Sequence, residues 1–168
     1  MALLTALALL HPEPTPANVV WVASGQFCEP ETVLPLPDDR LLISNVCGFN
    51  EPGSGFLSLL GADGTVINWR IVDQLDAPLG MALQDDRLFV IDRNRVKVFT
   101  WPNYELLETI DLDTEVANDI AVATSGTIYV TDTAGHKVVE IDKDGAQSVL
   151  TGKAQFQGAN GIHLDGDT

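Results

Sequence analysis

Short apolar segments alternate with turn-forming residues along the chain after residue 20. Most of these segments are rich in Val, Leu and Ile, and they are separated by Asp, Asn, Gly or Pro. Segments of this length and composition are typical of β-strands. No useful stretch has the 3.6-residue spacing of an amphipathic helix. The pattern therefore predicts an all-β protein made of short strands and tight turns.

One residue pattern occurs four times. Each complete copy has a short apolar strand, a turn containing Asp or Gly, and a second strand that ends in Asn or Asp. The second residue of each copy recurs at intervals of 48, 39 and 42 residues, as Glu31, Leu79, Asn118 and Asn160. Repeats of about 40–50 residues are typical of β-propeller blades, each of which has four antiparallel strands. A β-sandwich also uses short strands, but it does not require one pattern to recur at blade spacing.

The repeats define the predicted organisation of the chain. The four copies begin with predicted strands at 30–34, 78–83, 117–122 and 159–164, and the first three continue through a turn into second strands that end at 45, 92 and 132. Third strands are predicted at 55–60, 95–99 and 136–141, and fourth strands at 66–72, 105–110 and 147–150. Residues 21–168 then form a partial propeller of three blades and the start of a fourth, with boundaries at about 28–75, 76–115, 116–157 and 158–168. We expect further C-terminal blades, or a second copy of the chain, to close the ring.

The repeated position suggests a cation site. In a propeller the first strand of each blade lines the central channel, so Glu31, Asn118 and Asn160 would meet at one channel mouth. Carboxylate and amide oxygens are hard ligands, which favour Ca²⁺ over zinc or copper. Asn before Asp or Gly is also common in ordinary turns. The phase that both Asn residues share with Glu31 favours the metal interpretation.

Three of these motifs carry a family resemblance. Pro30-Glu31-Thr32-Val33, Ala117-Asn118-Asp119-Ile120 with Ile128–Asp132, and Ala159-Asn160-Gly161-Ile162 resemble the SMP-30/gluconolactonase/LRE family. The resemblance implies a six-bladed β-propeller with one calcium or other divalent ion, held by a Glu from the first blade, Asn residues from the third and fourth, and an Asp from the fifth. Glu31, Asn118 and Asn160 match the first three positions, and the Asp has no counterpart among the 168 residues.

The resemblance also implies a function. It predicts a metal-dependent hydrolase whose substrate is a small molecule, a lactone or a related ester. No catalytic base is assigned, since the family often uses the fifth-blade Asp, and the chain alone is expected to be inactive. Asp119 is a candidate contact to the substrate or to a metal ligand, or else a cap of its strand. The alternative function is a non-catalytic, NHL-like propeller that binds a protein or small ligand through its top face, on which the predicted channel mouth opens.

Charge narrows the range of partners. The chain has 24 acidic and 9 basic residues, a formal net charge of -15, and no cluster of Lys or Arg. Because such a chain is repelled by phosphate backbones, nucleic acid is not an expected partner.

The N-terminus and the two cysteines bear on localisation. Residues 1–10 are apolar but shorter than the ~20 residues that span a bilayer. They fit the core of a secretory signal within 1–20, although the positively charged start is missing. A buried or disordered segment is the alternative, so we predict a periplasmic or secreted protein, with a cytoplasmic one as the alternative. Cys28 and Cys47 flank a predicted hairpin, 31–36 with 40–46, and would form a disulfide or remain two free buried thiols.

Overall fold

Three four-stranded antiparallel sheets make up the molecule. The computed structural model describes residues 21–150 and 156–166, and the predicted export segment at 1–20 lies outside this range. The strands are β1 (Pro30–Pro35), β2 (Leu41–Asn45), β3 (Gly55–Leu60), β4 (Val66–Leu75), β5 (Pro78–Gln84), β6 (Arg87–Asp92), β7 (Arg95–Thr100), β8 (Leu106–Asp111), β9 (Ala117–Val122), β10 (Ile128–Asp132), β11 (Lys137–Ile141) and β12 (Gln147–Val149). Within each sheet, sequential strands are neighbours, as in a propeller blade.

We refer to the three sheets as blade one (β1–β4), blade two (β5–β8) and blade three (β9–β12). The first strands of adjacent blades contact each other, β1 with β5 and β5 with β9. The predicted all-β propeller is therefore confirmed, and the twelve strands lie where the repeat predicted them, to within a few residues at their ends. No helix that could cross a membrane occurs in the described part of the chain.

Apolar side chains fill the space between neighbouring blades. Blades one and two enclose one buried cluster that includes Leu42, Leu57 and Val90. Blades two and three enclose a second cluster that includes Ile91, Val98 and Val130. The hydrophobic effect therefore joins blade to blade, and this inter-blade packing is the main source of stability for the structure.

Strand β6 shows why the sequence of blade two is so apolar. Alternate residues of a strand point to opposite faces of its sheet. Leu88 and Val90 accordingly lie in the cluster with blade one, whereas Phe89 and Ile91 lie in the cluster with blade three. All four are at most 7% exposed. A blade with neighbours on both faces needs a continuous apolar run instead of strict alternation.

The fourth repeat differs from the prediction. Residues 159–164 were expected to begin another strand, but no strand is formed between 156 and 166. No partner strand pairs with this segment among the described residues. It is attached instead at the C-terminal end of β10 in blade three, where the Thr131 hydroxyl donates to the Asn160 oxygen and the Thr133 hydroxyl to the Ala159 oxygen, both at 2.6 Å.

Candidate functional site

Every blade begins with a β-bulge. In blade one, Pro30 pairs with Asn45 and Val33 with Ile43, so that three steps along β1 match two along β2. The same irregularity occurs at Pro78–Met81 in β5 and at Ala117–Ile120 in β9. Bulges turn side chains away from the regular alternation and are over-represented next to active sites. Glu31, Leu79 and Asn118, three of the four residues at the repeated sequence position, lie within these bulges.

Two of the bulges are supported by a hydroxyl group from the neighbouring strand. The Thr32 N–H donates to Ser44 Oγ at 3.0 Å, and the Asp119 N–H donates to Thr131 Oγ1 at 2.9 Å. In blade two the matching position is Ile91, which has no hydroxyl group. The two supported bulges are therefore those that carry predicted metal ligands. Sequence reasoning missed Ser44 and Thr131, although a hydroxyl residue directly before the terminal Asn or Asp of the second strand was a visible signal.

The Asn or Asp at the end of each second strand anchors the start of the blade. Asn45, Asp92 and Asp132 are fully buried. Asn45 Oδ1 accepts the Cys28 N–H at 3.2 Å, and Asp92 Oδ1 accepts the Ala77 N–H at 2.7 Å. These bonds fix the backbone just before each bulge and so set where the bulged side chains lie.

Asp132 is the most heavily bonded of these anchors. Oδ1 accepts the N–H groups of Val116 and Gly135, and Oδ2 accepts that of Glu115, each at 2.9 Å. Burial alone would raise the pKa of Asp132, but these three donors and the nearby Lys137 outweigh it and hold the pKa below its ordinary value. The carboxylate is thus kept charged for a structural purpose.

Asp119 joins three parts of the site. Its Oδ1 accepts the Ile120 N–H and its Oδ2 accepts the Ile162 N–H, both at 2.9 Å. A Cβ atom on Gly80 would lie 2.4 Å from Asp119 Oδ1, so the carboxylate occupies space that only a glycine leaves open. The side chain therefore links the first strands of blades two and three to the segment that carries Asn160.

Glu31 and Asn118 lie at the start of the first strand of their blades, and Asn160 lies in the segment that is bonded to Thr131 and Asp119 of blade three. Glu31 and Asn160 are exposed and Asn118 is half-buried, whereas Leu79 is buried between blades two and three. None of the hydrogen bonds between described residues uses the side chain of Glu31, Asn118 or Asn160. The first strand of blade two lies between the strands that carry Glu31 and Asn118, since β5 contacts both β1 and β9.

Within residues 21–150 and 156–166, no group of three or more His, Cys, Asp or Glu side chains could hold a metal ion. Of the predicted ligands, only Glu31 belongs to these types, because the other two are amides. The candidate site therefore depends on amide oxygens.

The cysteines are joined. Cys28 and Cys47 form a disulfide whose Cα atoms are 4.9 Å apart. The pairing of β1 with β2 brings the two residues together at the open end of the hairpin, as one of the two sequence interpretations expected.

Comparisons with known proteins show the fold. No family model and no curated protein sequence matches the chain. It is similar to a gluconolactonase from Xanthomonas campestris, with a TM-score of 0.59, 18% identity, and coverage of 79% of this chain and 50% of that one. For regucalcin, a calcium-binding protein from Agrobacterium tumefaciens, the TM-score is 0.57 at 17% identity, and the coverage is 71% and 43%. For a virginiamycin B lyase from Staphylococcus aureus, the TM-score is 0.59 at 11% identity, and the coverage is 80% and 45%.

These neighbours include the gluconolactonase-type proteins that the sequence motifs resemble. Three blades matching about half of such a chain fit the expected six-bladed ring. The protein thus has a gluconolactonase-like β-propeller fold and spans about half the length of the solved structures that it matches.

Proposed function

We propose that the chain belongs to a metal-dependent hydrolase of lactones or related esters, with calcium bound at the end of the blades where Glu31, Asn118 and Asn160 lie. The observation that carries the proposal is the hydroxyl-supported bulge, which occurs in blades one and three and not in blade two. Blades one and three contribute Glu31 and Asn118, whereas blade two offers the buried Leu79. Extra support where a ligand is predicted is what a preorganised site requires.

The residues fit a hard divalent cation. One carboxylate and two amides supply oxygen ligands, and their side chains make no hydrogen bonds to other described residues. Calcium takes six to eight oxygen ligands, so water, substrate and residues outside this set would complete the shell. The fold of regucalcin, a calcium-binding protein, is a further support for this choice.

The chemistry follows from the ligand set. A bound divalent cation would act as a Lewis acid towards the carbonyl oxygen of a lactone. Glu31, Asn118 and Asn160 would hold the cation and place it at the channel mouth. Both oxygens of Asp119 already accept backbone N–H groups. This favours a role for Asp119 in orienting Asn118 and Asn160 over the direct substrate contact considered from the sequence.

Calcium binding tests the site. We expect calcium at about 100 times its Kd to stabilise the protein by about 2.7 kcal/mol, which raises the midpoint of thermal unfolding by about 5–10 °C. Glu31→Gln should abolish this shift. Glu108→Gln is the matched control, because Glu108 is exposed on the outer strand of blade two, and it should keep the shift. A wild-type protein that does not respond to calcium, or equal responses in both variants, would contradict the metal site.

Hydrolysis is tested separately. Acid release from a panel of aldonolactones should be followed for the chain and for the longest natural protein that contains it, with and without calcium. Calcium-dependent hydrolysis that Glu31→Gln removes would support the enzyme. Calcium binding without hydrolysis of any lactone would favour the alternative, a non-catalytic propeller that binds a ligand through this face.

A further inference from the structure

The Cys28–Cys47 disulfide lies at the approach to Glu31. Cys28 is three residues before Glu31, and Cys47 follows the strand that pairs with β1. The bond therefore ties the segment that leads into the bulge of blade one to the loop after β2. Neither cysteine contributes to either apolar cluster between the blades.

Hydrogen bonds at the same point are few and mostly long. The Cys47 N–H donates to the Cys28 oxygen at 3.3 Å, and the Val46 N–H donates to the Glu29 oxygen at 3.2 Å. The Gly48 N–H donates to the Glu29 carboxylate at 2.8 Å in an exposed position. The shortest of the three bonds is exposed to competition from water and the other two are long, so together they hold the segment weakly without the disulfide.

Blades two and three anchor the equivalent point with charge. Asp92 accepts an N–H at 2.7 Å and forms an ion pair with Lys97 at 2.6 Å, and Asp132 accepts three N–H groups. Blade one has the neutral Asn45, which accepts one N–H at 3.2 Å. Hydrogen bonds to a charged group are roughly twice as strong as neutral ones. Among the buried side chains that end the second strands, Asn45 of blade one is therefore the weakest anchor, and blade one is the blade with the covalent link.

We propose that the disulfide is a positioning link for Glu31, and that the calcium affinity of the site depends on the link being closed. This proposal rests on the proposed function, since it assigns Glu31 to the metal. A dithiol reductant would transfer two electrons and two protons to the bond, giving two thiols and the oxidised dithiol. Both cysteines are half-buried, so a small reductant can reach them. The segment around Glu29–Glu31 would then be ordered for only part of the time.

The calcium affinity after reduction depends on the fraction of molecules in which this segment is ordered. When only a fraction of molecules has the ligand in place, the apparent Kd rises by the inverse of the fraction. If the segment is ordered in about one molecule in ten after reduction, the Kd for calcium rises about tenfold. Blade three contains no cysteine, so its bulge should be unaffected.

The test measures calcium binding by calorimetry and amide hydrogen exchange without calcium. Four samples are compared: oxidised protein, protein reduced by a dithiol, and the double variant Cys28→Ala/Cys47→Ala without and with the dithiol. We expect faster exchange at residues 29–32, where Glu29, Glu31 and Thr32 carry backbone N–H groups, and about tenfold weaker calcium binding in the reduced protein and in the double variant. Residues 118–122 should exchange as before, which shows that the blades remain folded. The dithiol should not alter the double variant further.

The outcomes separate the two proposals. If the oxidised protein binds no calcium, the metal site is wrong, and the exchange rates at 29–32 still decide whether the disulfide orders this segment. If oxidised and reduced proteins bind calcium equally and exchange equally at 29–32, the positioning role is overturned. Should the double variant not fold, the reduced wild-type protein gives the same comparison.

Discussion

Replacing Asp132 by Asn should lower the free energy of unfolding by about 3 kcal/mol. The side chain is fully buried and accepts three backbone N–H groups. In Asp132→Asn the two bonds to Oδ1 persist but become neutral, which weakens each by about 1 kcal/mol. The new NH₂ group faces the Glu115 N–H, and a buried donor without an acceptor costs about 1–3 kcal/mol. Loss of the desolvation cost of the carboxylate offsets part of this sum.

Urea unfolding followed by tryptophan fluorescence measures the difference. Asp86→Asn is the control, because it removes the same charge from an exposed turn, and it should change the free energy of unfolding by less than about 0.5 kcal/mol. The reasoning is refuted if Asp132→Asn is no more destabilising than Asp86→Asn.

The difference in stability between the wild-type protein and Asp132→Asn should depend on pH. The pKa of Asp132 is lowered in the folded state, so its charge stabilises the fold at pH values above the ordinary pKa of about 3.9. That contribution is lost as the pH falls through the lowered pKa. The difference between wild type and Asp132→Asn should therefore stay constant from pH 7 to about pH 5 and shrink below about pH 4. A difference that grows on acidification would contradict the assignment.

Two further substitutions test how the site is assembled. Gly80→Ala should destabilise the protein by about 1–3 kcal/mol in urea unfolding, because its Cβ would lie 2.4 Å from Asp119 Oδ1 and 2.6 Å from Asp119 Cα. Gly161→Ala is the control and should be tolerated, because its Cβ would lie 3.9 Å from Asp119 Oδ2. Thr131→Val should lower the free energy of unfolding by about 2 kcal/mol, because it removes the hydrogen bonds to the Asp119 N–H and the Asn160 oxygen. Hydrogen exchange at 159–162 should then become faster. Unchanged exchange there would show that Thr131 does not hold this segment.

Much of the fold could be predicted because each blade is encoded locally. The Asp/Gly turns, the strand lengths and the repeat at 48, 39 and 42 residues all lie within short stretches of chain. They were sufficient to place twelve strands and to align Glu31, Leu79 and Asn118 at one position of the repeat. The structure confirms this alignment, because the residue before each of the three pairs with the last residue of the second strand in its blade.

The site itself depends on contacts between residues distant in sequence. The approach of Asp119 to Gly80 and Ile162, the support of the bulges by Ser44 and Thr131, and the Cys28–Cys47 bond all join segments from 12 to 43 residues apart.

Sequence alone thus determined the strands of the three blades, their repeat and the type of side chain at the repeated position, because turns and the apolar pattern of a strand are local properties. Only the tertiary structure decided how those side chains are held. The bulges of blades one and three have hydroxyl partners for an N–H group, and a buried carboxylate needs donors, but several residues in this sequence could supply either. The packing of blade on blade selects among them.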